Sequence, residues 1–218
     1  MRNWLAYFFD FDGVLADSVE VKTRAFARIF EPYGPKVQTR VVEHHRRHSG
    51  VTRAEKFRHY YREFLQHPLD EKELAELCQR FARLVVDEVV GAPEIPGAEA
   101  FLRALWNKAP LFVVSAAPEG ELREIIERRG WSRYFRAVTG APRSKKENLA
   151  ALLEINRLPA ERCLFFGDAE TDYRAARACG VKFFGILPGP EAALLKTAPD
   201  IVWRSNFQCD ILAASKNC

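Results

Sequence analysis

Trp4-Leu-Ala-Tyr-Phe-Phe-Asp-Phe-Asp-Gly-Val-Leu-Ala-Asp-Ser18 is the stretch on which the fold turns. Its first six residues are continuously apolar and rich in aromatics, as expected of a strand buried on both faces of a parallel sheet. The run stops at Asp10 and Asp12, and Gly13 then lets the backbone turn sharply out of the strand. Open α/β sheets bind ligands at the carboxyl ends of their strands, where this sequence places both carboxylates. Two carboxylates so close repel when both ionise, so the pair calls for a cation, a nearby Lys or a shared proton. A hard, oxygen-lined site for Mg2+ supplies the first of these.

Outward from that stretch, three more short apolar runs read as buried strands: Leu111-Phe-Val-Val114, Cys163-Leu-Phe-Phe166 and Val181-Lys-Phe-Phe-Gly-Ile186. Helical patterns over 98–106, 119–129, 146–156 and 171–178 alternate with them. The alternation predicts an α/β fold with a doubly wound parallel sheet. Residues 17–90 differ, carrying helical periodicity over 19–30, 41–48, 52–65 and 71–89 and no convincing buried strand. Turn signals at Pro32-Tyr-Gly-Pro35, Ser49-Gly50 and His67-Pro68 separate these helices, and Gly91-Ala-Pro-Glu-Ile-Pro-Gly97 reads as a hinge. The expected division is a core of residues 1–16 and 92–218 and an inserted α-helical unit over 17–91.

Composition excludes other classes. The 218 residues, 48% hydrophobic and 28% charged, rule out a disordered chain, a collagen-like repeat and a disulfide miniprotein. A net charge of +4 is too mild to point to nucleic acid or an anionic membrane. Cys78, Cys163, Cys179, Cys209 and Cys218 are odd in number and nowhere spaced C-x-x-C, as expected of reduced thiols. With no apolar run approaching the roughly 20 residues of a membrane span, the expectation is a soluble, cytoplasmic protein.

Further motifs stand at the ends of the later strands. Ser115 follows Leu111-Phe-Val-Val directly, Ser144-Lys-Lys-Glu-Asn-Leu149 offers two lysines at the start of a helix, and Cys163-Leu-Phe-Phe-Gly-Asp-Ala-Glu-Thr-Asp172 ends a strand in G-D-x-x-x-D. Each has a bland reading: Ser115 or Asp168 as a helix cap, the lysines as solvated surface groups. Together, in this order from Asp10 to Asp172, they resemble the four motifs of the haloacid dehalogenase superfamily. The likeness is to the branch with a small α-helical cap, similar to phosphoglycolate phosphatase and β-phosphoglucomutase. Bacterial receiver domains share acidic, Ser/Thr and Lys groups at strand ends but lack the D-x-D-G-V pair, the late G-D-x-x-x-D and the large helical insert.

The resemblance implies roles. Asp10 is the expected nucleophile, Asp12 the general acid/base, and Ser115 a hydrogen-bond donor to the transferring phosphoryl group. Lys145 is the expected phosphate-neutralising lysine, with Lys146 the alternative. Mg2+ is expected on Asp10, Asp168 and the backbone carbonyl of Asp12, with Asp172 further out or orienting Lys145. His48-Ser-Gly-Val-Thr-Arg53 resembles a cap loop in which Arg53 would meet the non-reacting end of the substrate. From Arg40 to Arg62 there are seven Lys or Arg against two acids, and all five histidines fall between His44 and His67. That field favours an anionic substrate, unless it is only a solvated basic face. H-H-x-x-H at His44 to His48 lacks the Glu and fixed geometry of a zinc helix.

The expected function is therefore a Mg2+-dependent phosphatase of a small phosphorylated metabolite, acting through an aspartyl-phosphate, as a monomer or weak dimer without nucleic-acid or membrane partners. A phosphomutase of the same mechanism is the alternative. A non-catalytic phosphate-binding regulatory protein is the alternative of another class, and it would not need both Asp10 and Asp12.

Overall fold

The structure, a computed structural model, describes residues 4–48, 50–208, 211–215 and 218. Ser49 of the quoted loop and Cys209 lie outside these residues. Strands β1 (Ala6–Phe9), β2 (Leu111–Pro118), β3 (Ala137–Ala141), β4 (Cys163–Gly167), β5 (Lys182–Ile186) and β6 (Trp203–Arg204) form one sheet in the order β3-β2-β1-β4-β5-β6, every neighbouring pair parallel. The expected doubly wound α/β core is the one observed. β1 lies at the centre, hydrogen-bonded to β2 on one side and β4 on the other. All four of its residues are buried, which accounts for the unbroken apolar run.

The helices are α1 (Val19–Phe30), α2 (Pro35–Arg47), α3 (Arg53–Phe64), α4 (Glu71–Gly91), α5 (Ala98–Leu105), α6 (Glu119–Arg128), α7 (Lys145–Ile155) and α8 (Glu170–Ala178), with two four-residue turns, α9 (Leu194–Thr197) and α10 (Ile211–Ala214), near the C-terminus. Thr52 with Glu55, Asp70 with Glu73 and Ser144 with Glu147 make reciprocal capping boxes that fix the starts of α3, α4 and α7. One face of the sheet, with Tyr7, Phe9 and Phe166, is continuous with the apolar side of the helical segment, whereas Phe8, Phe112 and Phe165 face α7 and α8. Phe8 stacks on Phe112 at 4.9 Å and Phe9 on Phe166 at 5.0 Å between ring centroids.

The sequence reading missed β3 and β6 and started α2 six residues late. β3 is Ala-Val-Thr-Gly-Ala, alternately buried and half-buried near the sheet edge, so it lacks the large apolar side chains of the central strands. β6 has two residues. α2 begins at Pro35 because proline at the first helical position loses no hydrogen bond; the reading had taken Pro35 as a turn.

α1 to α4 all fall between β1 and β2. They bury a cluster of rings of their own, with Phe26 at 4.5 Å from Phe81, 5.3 Å from Phe57 and 5.7 Å from Tyr60. The chain enters and leaves this segment side by side: Ala16 bridges Glu94 antiparallel, Asp17 N–H donates to the Pro93 carbonyl at 2.9 Å, and Ile95 N–H donates to Leu15 at 3.0 Å. Arg129, after α6, clamps the exit, donating to the carbonyls of Val89, Val90 and Ala92 at 3.0, 3.0 and 2.7 Å.

Candidate active site

Because β1 and β4 are adjacent and parallel, the residues that follow them arrive together. Asp10 follows β1, Asp168 follows β4, and Asp172 lies in the first turn of α8. A carboxylate oxygen from each of the three lies within 4.8 Å of the others. Asp10 and Asp172 are buried, and Asp10 Oδ1 has no hydrogen-bond partner among the described residues. Gly13, at φ +78°, passes so close that a Cβ there would stand 2.6 Å from Asp168 Oδ2; only glycine suits both the conformation and the space.

Lys145 is the counter-charge. As the first residue of α7 it is 6% exposed and donates from Nζ to Asp10 Oδ2 at 2.7 Å and to Asp172 Oδ1 at 2.5 Å. Lys146 points outward and is exposed. Burial opposes the Lys145 charge, but Asp10 and Asp172 hold it more firmly protonated than an ordinary lysine. Burial pushes the Asp168 carboxyl well above the carboxylate range, and the charges of Asp10 and Asp172 add to this. It pushes Asp172 up to about 7 even beside Lys145. Asp172 Oδ2 also accepts from the Ala169 backbone N–H at 3.1 Å, so this carboxylate holds Lys145 on one side and the start of α8 on the other.

Asp12 is turned away from this cluster. Its carboxylate accepts from Ser18 Oγ at 2.6 Å and is ion-paired with Lys22. Burial would raise the Asp12 carboxyl, but the adjacent Lys22 ammonium and the Ser18 hydroxyl bring it below its ordinary value. Sequence reading did not single out Ser18 and Lys22; their four-residue spacing across the start of α1 puts them on one helix face, the one signal available. Ser115 is 1% exposed at the bend of β2, where the register with β3 shifts. Its Oγ accepts from Ala117 N–H at 3.3 Å, and the cap position of α6 belongs to Pro118, so Ser115 caps no helix.

The helical segment closes this ground from the other side. A cavity of about 50 Å³ is lined by Asp10, Asp12, Ser115, Lys145 and Asp168 of the sheet side and by Lys22, Phe26, His45, Val51, Arg53, Lys56 and Phe81 of the helical side. Gly50 packs so tightly on Thr171 that a Cβ would stand 1.8 Å from its Oγ1, which holds the loop before α3 against α8. Arg53 reaches the cavity wall, but its guanidinium is ion-paired with Glu121 of α6, donates to the Cys78 carbonyl at 3.1 Å, and lies 4.8 Å over the Phe81 ring. Lys56, read in the sequence only as one of the seven cations of the basic run, is 2% exposed with Nζ 2.8 Å from His45 Nδ1. Burial brings its ammonium down to about 7 and the His45 imidazole, next to it, down to about 3. His44, His48 and His59 stack at 4.0 and 4.3 Å on the outer side, His44 also meeting Tyr60 Oη. Four of the cysteines, Cys78, Cys163, Cys179 and Cys218, are free thiols. No helix among the described residues is long and apolar enough to cross a membrane.

The profile of a family described as haloacid dehalogenase-like hydrolase matches residues 7–186. The chain belongs to that family. It is similar to a phosphoglycolate phosphatase of Rhodospirillum rubrum, 29% identical over 81% of this chain and 76% of the relative. It is similar also to a phosphorylated carbohydrates phosphatase of Thermotoga maritima, 26% identical over 84% of this chain and 85% of that one. Among solved structures, a β-phosphoglucomutase of Clostridium difficile shares the fold at a TM-score of 0.78, with 18% identity, 98% of this chain and 97% of the other covered. The family expected from the motifs is thus the family found.

Proposed function

We propose that this hydrolase is a phosphatase of a small phosphorylated metabolite, acting through an aspartyl-phosphate. The observation that carries the reading is the convergence of Asp10, Asp12, Ser115, Lys145 and Asp168 on one enclosed cavity at the carboxyl ends of β1, β2 and β4. The relatives from Rhodospirillum and Thermotoga, both phosphatases by name, support it.

Three clustered carboxylates with one buried, unpartnered oxygen on Asp10 fit a hard divalent cation. Mg2+ would be held by Asp10, Asp168 and the backbone carbonyl of Asp12, Asp172 staying with Lys145. Bound there, the ion would offset the negative charge of nucleophile and phosphate together.

The remaining chemistry belongs to the chain. An Asp10 carboxylate oxygen bonds to phosphorus as the bond from phosphorus to the ester oxygen breaks. In this geometry Lys22 and Ser18 hold Asp12 ionised, so to act as the acid it must take up a proton as those contacts yield to the substrate. It then gives that proton to the departing oxygen and takes one from the water that attacks the aspartyl-phosphate, releasing inorganic phosphate and Asp10. Ser115 Oγ and Lys145 Nζ donate to phosphoryl oxygens and hold them in line for attack. Residues 17–91 serve as a cap over the core of 1–16 and 92–218, excluding bulk water while it is closed.

The test is hydrolysis of p-nitrophenyl phosphate with Mg2+ by the wild type and by Asp10→Asn. Loss of turnover in the variant is expected. Equal rates, or no turnover by the wild type across a panel of phosphate esters, would sink the reading.

A further inference from the structure

We propose that Glu121 is a selectivity residue: from the first turn of α6 it engages the guanidinium of Arg53 and so turns away phosphate esters that carry a second anionic group. The substrates that remain are monoesters whose only anionic group is the phosphoryl group itself. The proposal rests on the phosphatase reading above and makes it narrower.

It starts from a count of charge around the cavity. Of the seven cations in the basic run from Arg40 to Arg62, only Arg53 and Lys56 line it, joined there by Lys22 and Lys145. The chain itself supplies a partner to each of the four. Lys145 is paired with Asp10 and Asp172, Lys22 with Asp12 and Arg53 with Glu121, and Lys56 is hydrogen-bonded to His45 at 2.8 Å. Arg53 is further fixed by the Cys78 carbonyl at 3.1 Å and by the Phe81 ring, 4.8 Å beneath it. Its side chain is 8% exposed and that of Glu121 26%, so salt screens this pair far less than a surface one.

Glu121 has reasons of its own to stay in place. A carboxylate in the first turn of a helix is favoured by the unpaired N–H groups there. Glu119, in the same turn, is taken by Arg123 at 2.9 Å, which leaves Glu121 to Arg53. A second anion on the substrate could reach the guanidinium only by displacing Glu121, exchanging one carboxylate for another with no charge-assisted bond gained. The resident carboxylate belongs to the fold and re-forms the pair without the entropy of association, which the tail of a ligand must lose. If Glu121 stays, the second anion leaves water for a site whose cations are already matched and lies close to a like charge. Like charges brought together at a binding site cost enough affinity that a preference of about tenfold or more is expected.

The probes are phosphonoacetamide and phosphonoacetate, non-hydrolysable and alike in shape, the first with an uncharged end and the second with a carboxylate. Calorimetric titration at pH 7 in excess Mg2+ should show the wild type binding the amide about tenfold or more tightly than the carboxylate. Glu121→Gln can still accept from Arg53 but lacks the charge; it should tighten phosphonoacetate about tenfold and change the amide by less than about threefold. Adding Arg53→Met to Glu121→Gln should abolish that gain, whereas Arg53→Met alone should keep the wild-type preference. A wild type that favours phosphonoacetate or does not distinguish the probes would overturn the proposal. So would a Glu121→Gln without the gain, a double variant that gains as much as the single one, or an Arg53→Met that weakens phosphonoacetate alone. If Glu121→Gln does not fold, the wild type and Arg53→Met decide between the same outcomes. Turnover of p-nitrophenyl phosphate by the same wild-type preparation judges the phosphatase reading separately, because the binding comparison needs no chemistry.

Discussion

Replacing Lys145 by Met removes the one ammonium lodged between Asp10 and Asp172, at 2.7 and 2.5 Å, and leaves their carboxylates facing Asp168 with nothing between them. Stripping one partner from a buried ion pair typically costs about 3–5 kcal/mol, because the remaining charge is uncompensated. The three carboxylates can escape that cost by taking up protons, so the penalty depends on pH. Asp172 titrates near 7 with Lys145 present, against 3.8 for an ordinary aspartate, and without the lysine it moves higher still. Between about pH 4 and 7 the folded state therefore holds a proton that the unfolded chain has released. Stability falls as pH rises through that window, and falls further in the variant. Urea unfolding in chelator-containing buffer should show a loss of about 3–5 kcal/mol at pH 8 and less than half of it at pH 5. A loss below about 1 kcal/mol at pH 8, or the same loss at both values, would refute the account of Lys145 as the charge that lets this cluster be buried.

Two further substitutions test neighbouring features. Gly13→Ala puts a Cβ 2.6 Å from Asp168 Oδ2 on a backbone at φ +78°, and should cut turnover at least a hundredfold by displacing that carboxylate; retained activity would show that the loop has slack. Arg129→Ala leaves the carbonyls of Val89, Val90 and Ala92 without their shared donor, at roughly 1 kcal/mol each, so a loss of about 2–4 kcal/mol in urea unfolding is expected, and a loss under about 1 kcal/mol would make the clamp ornamental.

What could be read from the chain was set by how local its physics is. β1, β2, β4 and β5 were legible because a strand buried on both faces needs large apolar side chains at every position, and Asp10 and Asp168 because each closes such a run. β3 was not, since Ala137-Val-Thr-Gly-Ala141 draws its strand character from hydrogen bonds to β2 rather than from its side chains. Ser18, Lys22 and Lys56 escaped for a different reason. In the sequence Lys56 is one of many charges in a basic run, and only the packing of α1, α2 and α4 around α3 turns it inward while its neighbour Arg58 pairs with Glu71 in solvent. Arg53, expected to meet the non-reacting end of the substrate, lines the cavity, but its pairing with Glu121, sixty-eight positions away, depends on two helices from opposite sides of the cleft and has no sequence signature.

The pairing of Ala16 with Glu94 has a consequence for how so large an insertion is tolerated. A flexible loop charges its host an entropy that grows with length, about (3/2)RT ln n for n residues. Here the two ends of the insertion are stitched together at its neck, and its aromatic cluster is complete within α1, α3 and α4. The backbone connection between sheet and insertion is therefore a closed neck of two paired segments, whatever the length of the insertion. The faces that meet the core, Arg53 with Glu121, Gly50 with Thr171 and the carbonyls held by Arg129, then couple the packing of the helical unit to that of the sheet.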